Sequence, residues 1–150
     1  ACLYYCCKQF GVYRSIENLS QFVHASKKDI SRSHLVIVEK MQLSYFKIST
    51  KTLLHRYLSN LNIRNSICIQ AQQLLKVYEK CVNNNGKNPA GIVAGIIYYV
   101  CKQNNVNVTQ SELQDLFNIT CATIRNRLSE IRNLVNKIRK QKKRNLTLRS

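Results

Sequence analysis

Apolar residues recur along this chain at helical spacing, which predicts an all-α protein. From Cys121 onward, Ile124, Leu128, Ile131, Val135 and Ile138 step by four, three, four and three, a stripe that must be buried against something. With that stripe turned inward, Ala122, Arg125, Asn126 and Ser129 lie together on another side of the same helix. Just before it, "TQSE" at 109 to 112 has the form of a capping box, in which Thr109 and Glu112 satisfy each other's backbone amides. It starts a short helix, "SELQDLF", with Leu113, Leu116 and Phe117 expected inward. Asn118 to Thr120 turn the chain, and Thr120 is placed to cap the long helix. Short helix, tight turn and long helix predict a helix-turn-helix.

Upstream, "KNPAGIVAGIIYYVCKQ" has Asn88 as N-cap and Pro89 at the first helical position, where its missing N–H costs nothing. Its apolar residues continue almost all round, so it should be a central, buried helix. Gly91 and Gly95, four apart, would let a neighbouring helix approach closely. Two further helical patterns occupy the stretch between Thr50 and Cys81.

Sliding the chain against itself by 94 positions brings "LYYCCKQFGV" onto "IYYVCKQNNV" without a gap. The register persists, with Leu19 on Leu113, Ile30 on Ile124 and Ile37 on Ile131, so a whole unit is duplicated and two similar lobes are expected. In the first lobe Ser15 and Ser26 hold the capping positions. Nothing precedes the first copy, and the expectation is a fragment that lacks the start of lobe one. The expected segments are 1–48, the C-terminal part of the first repeat; 49–136, the complete second repeat; and 137–150, a basic tail.

Charge narrows the function. The 24 Lys and Arg against 7 acids give +17, a surplus beyond what solubility needs and one that favours a polyanionic partner, nucleic acid first. An anionic membrane is the second candidate, but the longest apolar run, Ala90 to Cys101, is too short to cross a bilayer as a helix, so a soluble protein is expected, with no membrane among its partners. Seven cysteines without pairing rhythm read as reduced thiols of an intracellular protein, which we expect to be monomeric. Cys2, Cys6 and Cys7 are close, but no CxxC is present, and no metal or other cofactor is expected in this stretch. His24, His34 and His55 flank no nucleophile arrangement, and there is no phosphate loop or carboxylate pair with acid and base roles, so an enzyme is not expected.

The polar face of the long helix carries chemistry suited to a major groove. Arg bonds guanine O6 and N7 in a fork, Asn does the same for adenine, and a small Ala permits close approach or touches a thymine methyl. The alternative is a solvated helix face. Lys27 and Lys28 oppose the dipole at a helix start, a local conflict that favours phosphate contact over two merely solvated lysines. The stretch "NKIRKQKKRNLTLRS" has no acids, and Lys140, Lys142, Lys143 and Arg144 are candidates for holding DNA phosphates, against an unstructured tail or a localisation signal. Tyr4, Tyr5, Tyr98 and Tyr99 are expected to pack in the core with hydrogen-bonded hydroxyls.

"ACLYYCCKQFGV", "ASKKDISR", "NPAGIVAGIIYYVCKQ" and "TQSELQDLFNITCATIRNRLSEI" resemble, in order, the two cyclin-like repeats of the general transcription factor TFIIB family and its archaeal relatives, over about residues 1 to 135. The resemblance implies two helical repeats that clamp TATA-binding protein on bent promoter DNA and recruit DNA-directed RNA polymerase. Ala122 and Arg125 match the family's base-contacting positions at the upstream element, while Ser31 and Arg32 match positions of the first repeat that meet the downstream side. Ala122 stands where members often carry valine, a departure at one of these base-contacting positions. The family's zinc ribbon is absent from this stretch and is expected N-terminal to it. The implied location is the nucleus of a eukaryotic cell, or the cytoplasmic factory or virion of a large DNA virus. An RNA polymerase III factor of the same repeat family, or a cyclin-type regulatory subunit of a protein kinase, shares the fold. A kinase partner gives no reason for +17.

Overall fold

The computed structural model describes residues 1–12, 14–44, 49–61 and 63–147, except for the side chains at 60, 143, 146 and 147. Among the described residues there are eight α-helices and no strand: α1 (Cys2–Gln9), α2 (Ile16–Phe22), α3 (Lys27–Lys40), α4 (Thr50–Asn60), α5 (Asn65–Cys81), α6 (Pro89–Gln103), α7 (Gln110–Phe117) and α8 (Cys121–Thr147). The chain divides into two compact units, Ala1–Leu53 and Leu54–Ser150. The expected limit of the first segment, 48, falls among residues 45–48, which lie outside the described ones.

The helix starts follow from side chains that satisfy the otherwise orphaned first amides. Ser15 accepts from the Asn18 amide at 3.1 Å, Ser26 from Asp29 at 3.2 Å and Asn88 from Ala90 at 3.0 Å. Thr109 and Glu112 form the full capping box, with amide bonds of 3.1 and 2.8 Å. The duplication is visible in the helix limits: α1 and α6 end at Gln9 and Gln103, α2 and α7 start at Ile16 and Gln110, and α3 and α8 start at Lys27 and Cys121, each pair 94 positions apart.

In the second unit α6 is the centre, with every residue from Ala90 to Ile97 buried. Its large aliphatic side chains each contribute roughly 1.5–3 kcal/mol by leaving water. α8 lies directly on it. A Cβ added at Gly91 would meet Thr123 Cγ2 at 2.8 Å, and one at Gly95 would meet Arg127 Cβ at 2.9 Å and Ile131 Cδ1 at 3.2 Å. The two glycines therefore set the distance between these helices. α7 closes the core through Leu113 and Phe117, both fully buried, with the Phe117 ring centroid 3.8 Å from that of Tyr57.

Three packing expectations change. Leu116 is only half-buried: Leu113 and Phe117 share a face one turn apart, and Leu116 falls at its edge. On α8 the stripe runs Ile124, Leu128, Ile131 and then Leu134, while Val135 and Ile138 are half-buried. Leu134 stands about 80° round α8 from Ile124 and Val135 only about 20°, so burial at Leu134 follows from the packing around it rather than from spacing along α8. Tyr4, Tyr5, Tyr98 and Tyr99 are half-buried rather than core, whereas Tyr78 is wholly inside with its hydroxyl bonded to Glu130.

In the first unit α1 and α2 pack on α3, whose inward residues are Ile30 and His34. His34 takes the position that Leu128 holds in the duplicate, and its ring meets that of Tyr4 edge-on at 4.9 Å. Burial first, and then the charge of Lys8, hold its pKa below the usual histidine value.

Candidate nucleic-acid interface

The connection from α7 to α8 is built by a few local bonds. Asn118 adopts the left-handed conformation (φ 49°) that ends α7, a conformation asparagine tolerates better than most residues. Thr120 Oγ1 then accepts from the Thr123 amide at 3.2 Å. The Cys121 amide donates to Gln114 Oε1 at 3.1 Å, a side chain of α7 reaching across the turn to satisfy the start of α8. Such a bond fixes the angle between the helices as well as capping the second.

Against this frame Ala122, Arg125, Asn126 and Ser129 are all exposed, on the side of α8 opposite to Ile124, Leu128 and Ile131. Arg125 and Arg127 are two residues apart, hence about 200° apart around the helix, and they have different fates. Arg127 is turned in and donates to Glu130 at 3.0 Å. Arg125 is exposed, so it is the arginine of the pair whose side chain meets solvent.

Glu130 is the one acid of α8. Besides Arg127 it receives the Tyr78 hydroxyl at 2.6 Å and the Lys87 ammonium at 3.1 Å, joining α5, the α5–α6 loop and α8. Partial burial raises its pKa, but the bond from Tyr78 and the bonds and charges of Lys87 and Arg127 outweigh that and leave it below the ordinary value of 4.5. Burial, and then Glu130, push Tyr78 up to about 12. The i,i+3 spacing of Arg127 and Glu130 was the only local sign of this cluster; Tyr78 and Lys87 come from 52 and 43 residues away. A carboxylate with a depressed pKa adds stability that is fully present above the unfolded value and lost as pH falls through the folded one. Glu130→Gln is therefore expected to flatten the fall in urea midpoint below pH 4.5; an unchanged acid limb would show that the cluster does not contribute.

In the first unit Lys27, Lys28 and Arg32 are exposed and Ser31 is half-buried at the start of α3. Lys27 pairs with Glu17 of α2 at 3.2 Å. A backbone hydrogen bond first, and then Lys27, hold the Glu17 carboxyl below its usual range despite partial burial. The dipole conflict read from the sequence thus has a structural answer at Lys27, in a partner the sequence reading missed. α8 continues as a helix to Thr147, with Lys140, Lys142 and Arg144 exposed along it. The side chain of Lys143, and residue Arg149, lie outside the described residues.

Among the described residues no three His, Cys, Asp or Glu side chains converge as a metal site requires, and no helix is long and apolar enough to cross a membrane. A sequence model described as the transcription factor TFIIB repeat matches residues 45–134. Transcription initiation factor IIB 3 of Halobacterium salinarum is 29% identical over 130 residues, 87% of this chain and 41% of the relative. Transcription initiation factor IIB 2 of Haloferax volcanii is 30% identical over 129 residues, 86% of this chain and 39% of the relative. Transcription initiation factor IIB of Pyrococcus abyssi is 28% identical over 133 residues, 87% and 44% of the two chains. The chain spans about two fifths of the length of these relatives.

Proposed function

The chain belongs to the TFIIB repeat family, and from that premise we propose that it serves transcription initiation by binding TATA-binding protein and the promoter DNA flanking the TATA element and recruiting RNA polymerase. It acts as a scaffold, without catalysis. The observation that carries this reading is the exposed N-terminal face of α8, where Ala122, Arg125, Asn126 and Ser129 stand together while the second arginine is committed inward. In this reading α7 and α8 form a helix-turn-helix whose second helix enters the major groove upstream of TATA. Arg125 reads a guanine, Asn126 and Ser129 bond neighbouring base edges or phosphates, and Ala122 lets the backbone approach. Lys27, Lys28, Ser31 and Arg32 at the start of α3 meet the downstream side, with Lys27 exchanging Glu17 for a phosphate. The cations at 140, 142, 143 and 144 hold backbone phosphates without reading sequence.

The test is a gel-shift titration on a TATA-containing duplex, with and without TATA-binding protein, at near-physiological salt. A cooperative supershift is expected. Arg125→Ala should weaken it by about 1–3 kcal/mol and relax preference at one or two upstream base pairs in a binding-site selection. A shift indifferent to both TATA-binding protein and Arg125 would overturn the reading and leave a solvated face, and kinase pull-downs would then test the cyclin-type alternative.

A further inference from the structure

The second unit carries an open cleft of about 620 Å³ beside the middle of α8. One wall is α8 itself, with Arg125, Ser129, Arg132 and Asn136; the other is Tyr98 and Lys102 from the end of α6 and Gln110 from the start of α7. Three cations line it, Lys102, Arg125 and Arg132, and no acid does. Its remaining polar lining is hydrogen-bonding amides and hydroxyls, over a floor that includes Leu128, which is 5% exposed.

We propose that this cleft seats one sugar-phosphate strand of the duplex whose major groove α8 enters, with Lys102 and Arg132 as phosphate ligands beside the base-reading Arg125. The proposal rests on the reading of α8 given above and adds to it the path of the backbone. Arg125 belongs to both the exposed face and the cleft, so a groove read at the N-terminal end of α8 continues into it without a break. From Arg125 to Asn136 the helix advances about 16 Å, enough to follow several nucleotides of a strand that rises about 3.4 Å per residue along the duplex. An open trough with cations at intervals and neutral donors between them suits a repeating polyanion better than a small ligand, which needs enclosure.

The duplication supplies an internal comparison. Tyr98 and Lys102 recur as Tyr4 and Lys8, with the ammonium over the ring at 5.9 and 4.6 Å respectively. Ser129, Arg132, Asn133 and Asn136 correspond instead to Leu35, Val38, Glu39 and Gln42. The first lobe keeps the tyrosine–lysine pair and lacks the arginine and the row of donors. The cationic trough is thus particular to the second lobe, while the aromatic–ammonium contact belongs to the common fold.

The experiment uses the full chain with TATA-binding protein on a TATA-containing duplex, titrated across a salt series. Lys102→Gln with Arg132→Gln is expected to weaken all sequences alike and to flatten the slope of log K against log salt by about 0.9 per phosphate released, about 1.8 for the pair, with base preference unchanged. Circular dichroism melting checks that the variant is folded. Independently of folding, duplexes with single methylphosphonates beside the upstream element should bind the native chain less well and cost the double variant nothing further. Native affinity and salt slope in the double variant, or phosphonate losses that persist in it undiminished, would overturn the cleft assignment even where Arg125→Ala still relaxes base preference. Absence of any TATA-binding-protein-dependent shift with the native chain would instead remove the reading on which it rests.

Discussion

Phe117→Ala is expected to destabilise the second unit by about 3–5 kcal/mol, the loss that follows from removing a wholly buried aromatic ring and leaving a cavity. The ring has no exposed surface, and it lies against Tyr57 at a centroid distance of 3.8 Å. Its position is what makes the loss large. Phe117 is the last residue of α7, next to the left-handed Asn118, so its anchor holds the turn into α8 as well as the core. Collapse of neighbours into the cavity would have to move that turn, and a site that collapses poorly sits at the costly end of the range. Domains of this size are stable by only about 5–15 kcal/mol in total. A loss of unfolding free energy of less than about 1 kcal/mol in urea denaturation would show that α7 is not a fixed part of the core.

The second large effect is expected at Gly95→Leu. The added Cβ alone would stand 2.9 Å from Arg127 Cβ, an atom that cannot rotate away because it is fixed to the α8 backbone. Arg127 is further held by Glu130. Three more carbons would have to enter the same gap or push α8 off α6. Overpacking typically costs about 1–3 kcal/mol, and this position belongs at or above the top of that range. Gly95→Ala separates the contributions: the helix gains roughly 1 kcal/mol of propensity from alanine, and the clash opposes it. If the alanine variant is more stable than the native chain by chemical denaturation, α6 and α8 are not in the close contact described here.

The helix starts were the most legible part of the fold, because a cap is a local device: Ser15, Ser26, Asn88 and Thr109 each bond an amide two or three residues on. Gly91 and Gly95 were legible for the related reason that only a close approach accounts for both in an apolar helix. What the pattern missed depends on partners distant in sequence or on fractions of a turn. Val135 and Leu134 differ by one position, and the packing around α8, not the spacing along it, decides which is buried. Tyr78 and Tyr98 look alike in sequence, yet Tyr78 is enclosed by Glu130 and Lys87, whereas Tyr98 stands at the mouth of a cleft. At the candidate site the polar face of α8 was readable from spacing alone. That Arg127 is committed depends on Glu130, one turn on, being fixed in place by Tyr78 and Lys87 from elsewhere in the chain.

Of the two halves of α8, one is constrained and the other is not. Thr123, Arg127, Glu130 and Ile131 are held by close approach, ion pairing or burial, and change at any of them disturbs neighbours on other elements. Ala122, Arg125, Asn126 and Ser129 meet solvent, so the fold asks little of them beyond helical compatibility. Surface substitutions of this kind usually change stability by no more than about 0.5 kcal/mol. Mutation can therefore explore this outer face one residue at a time while the inner face keeps the scaffold intact. On the proposed reading of this face, in a lineage under selection the base sequence recognised would be free to drift faster than the architecture that recognises it, and promoter and factor could change together without passing through an unfolded intermediate.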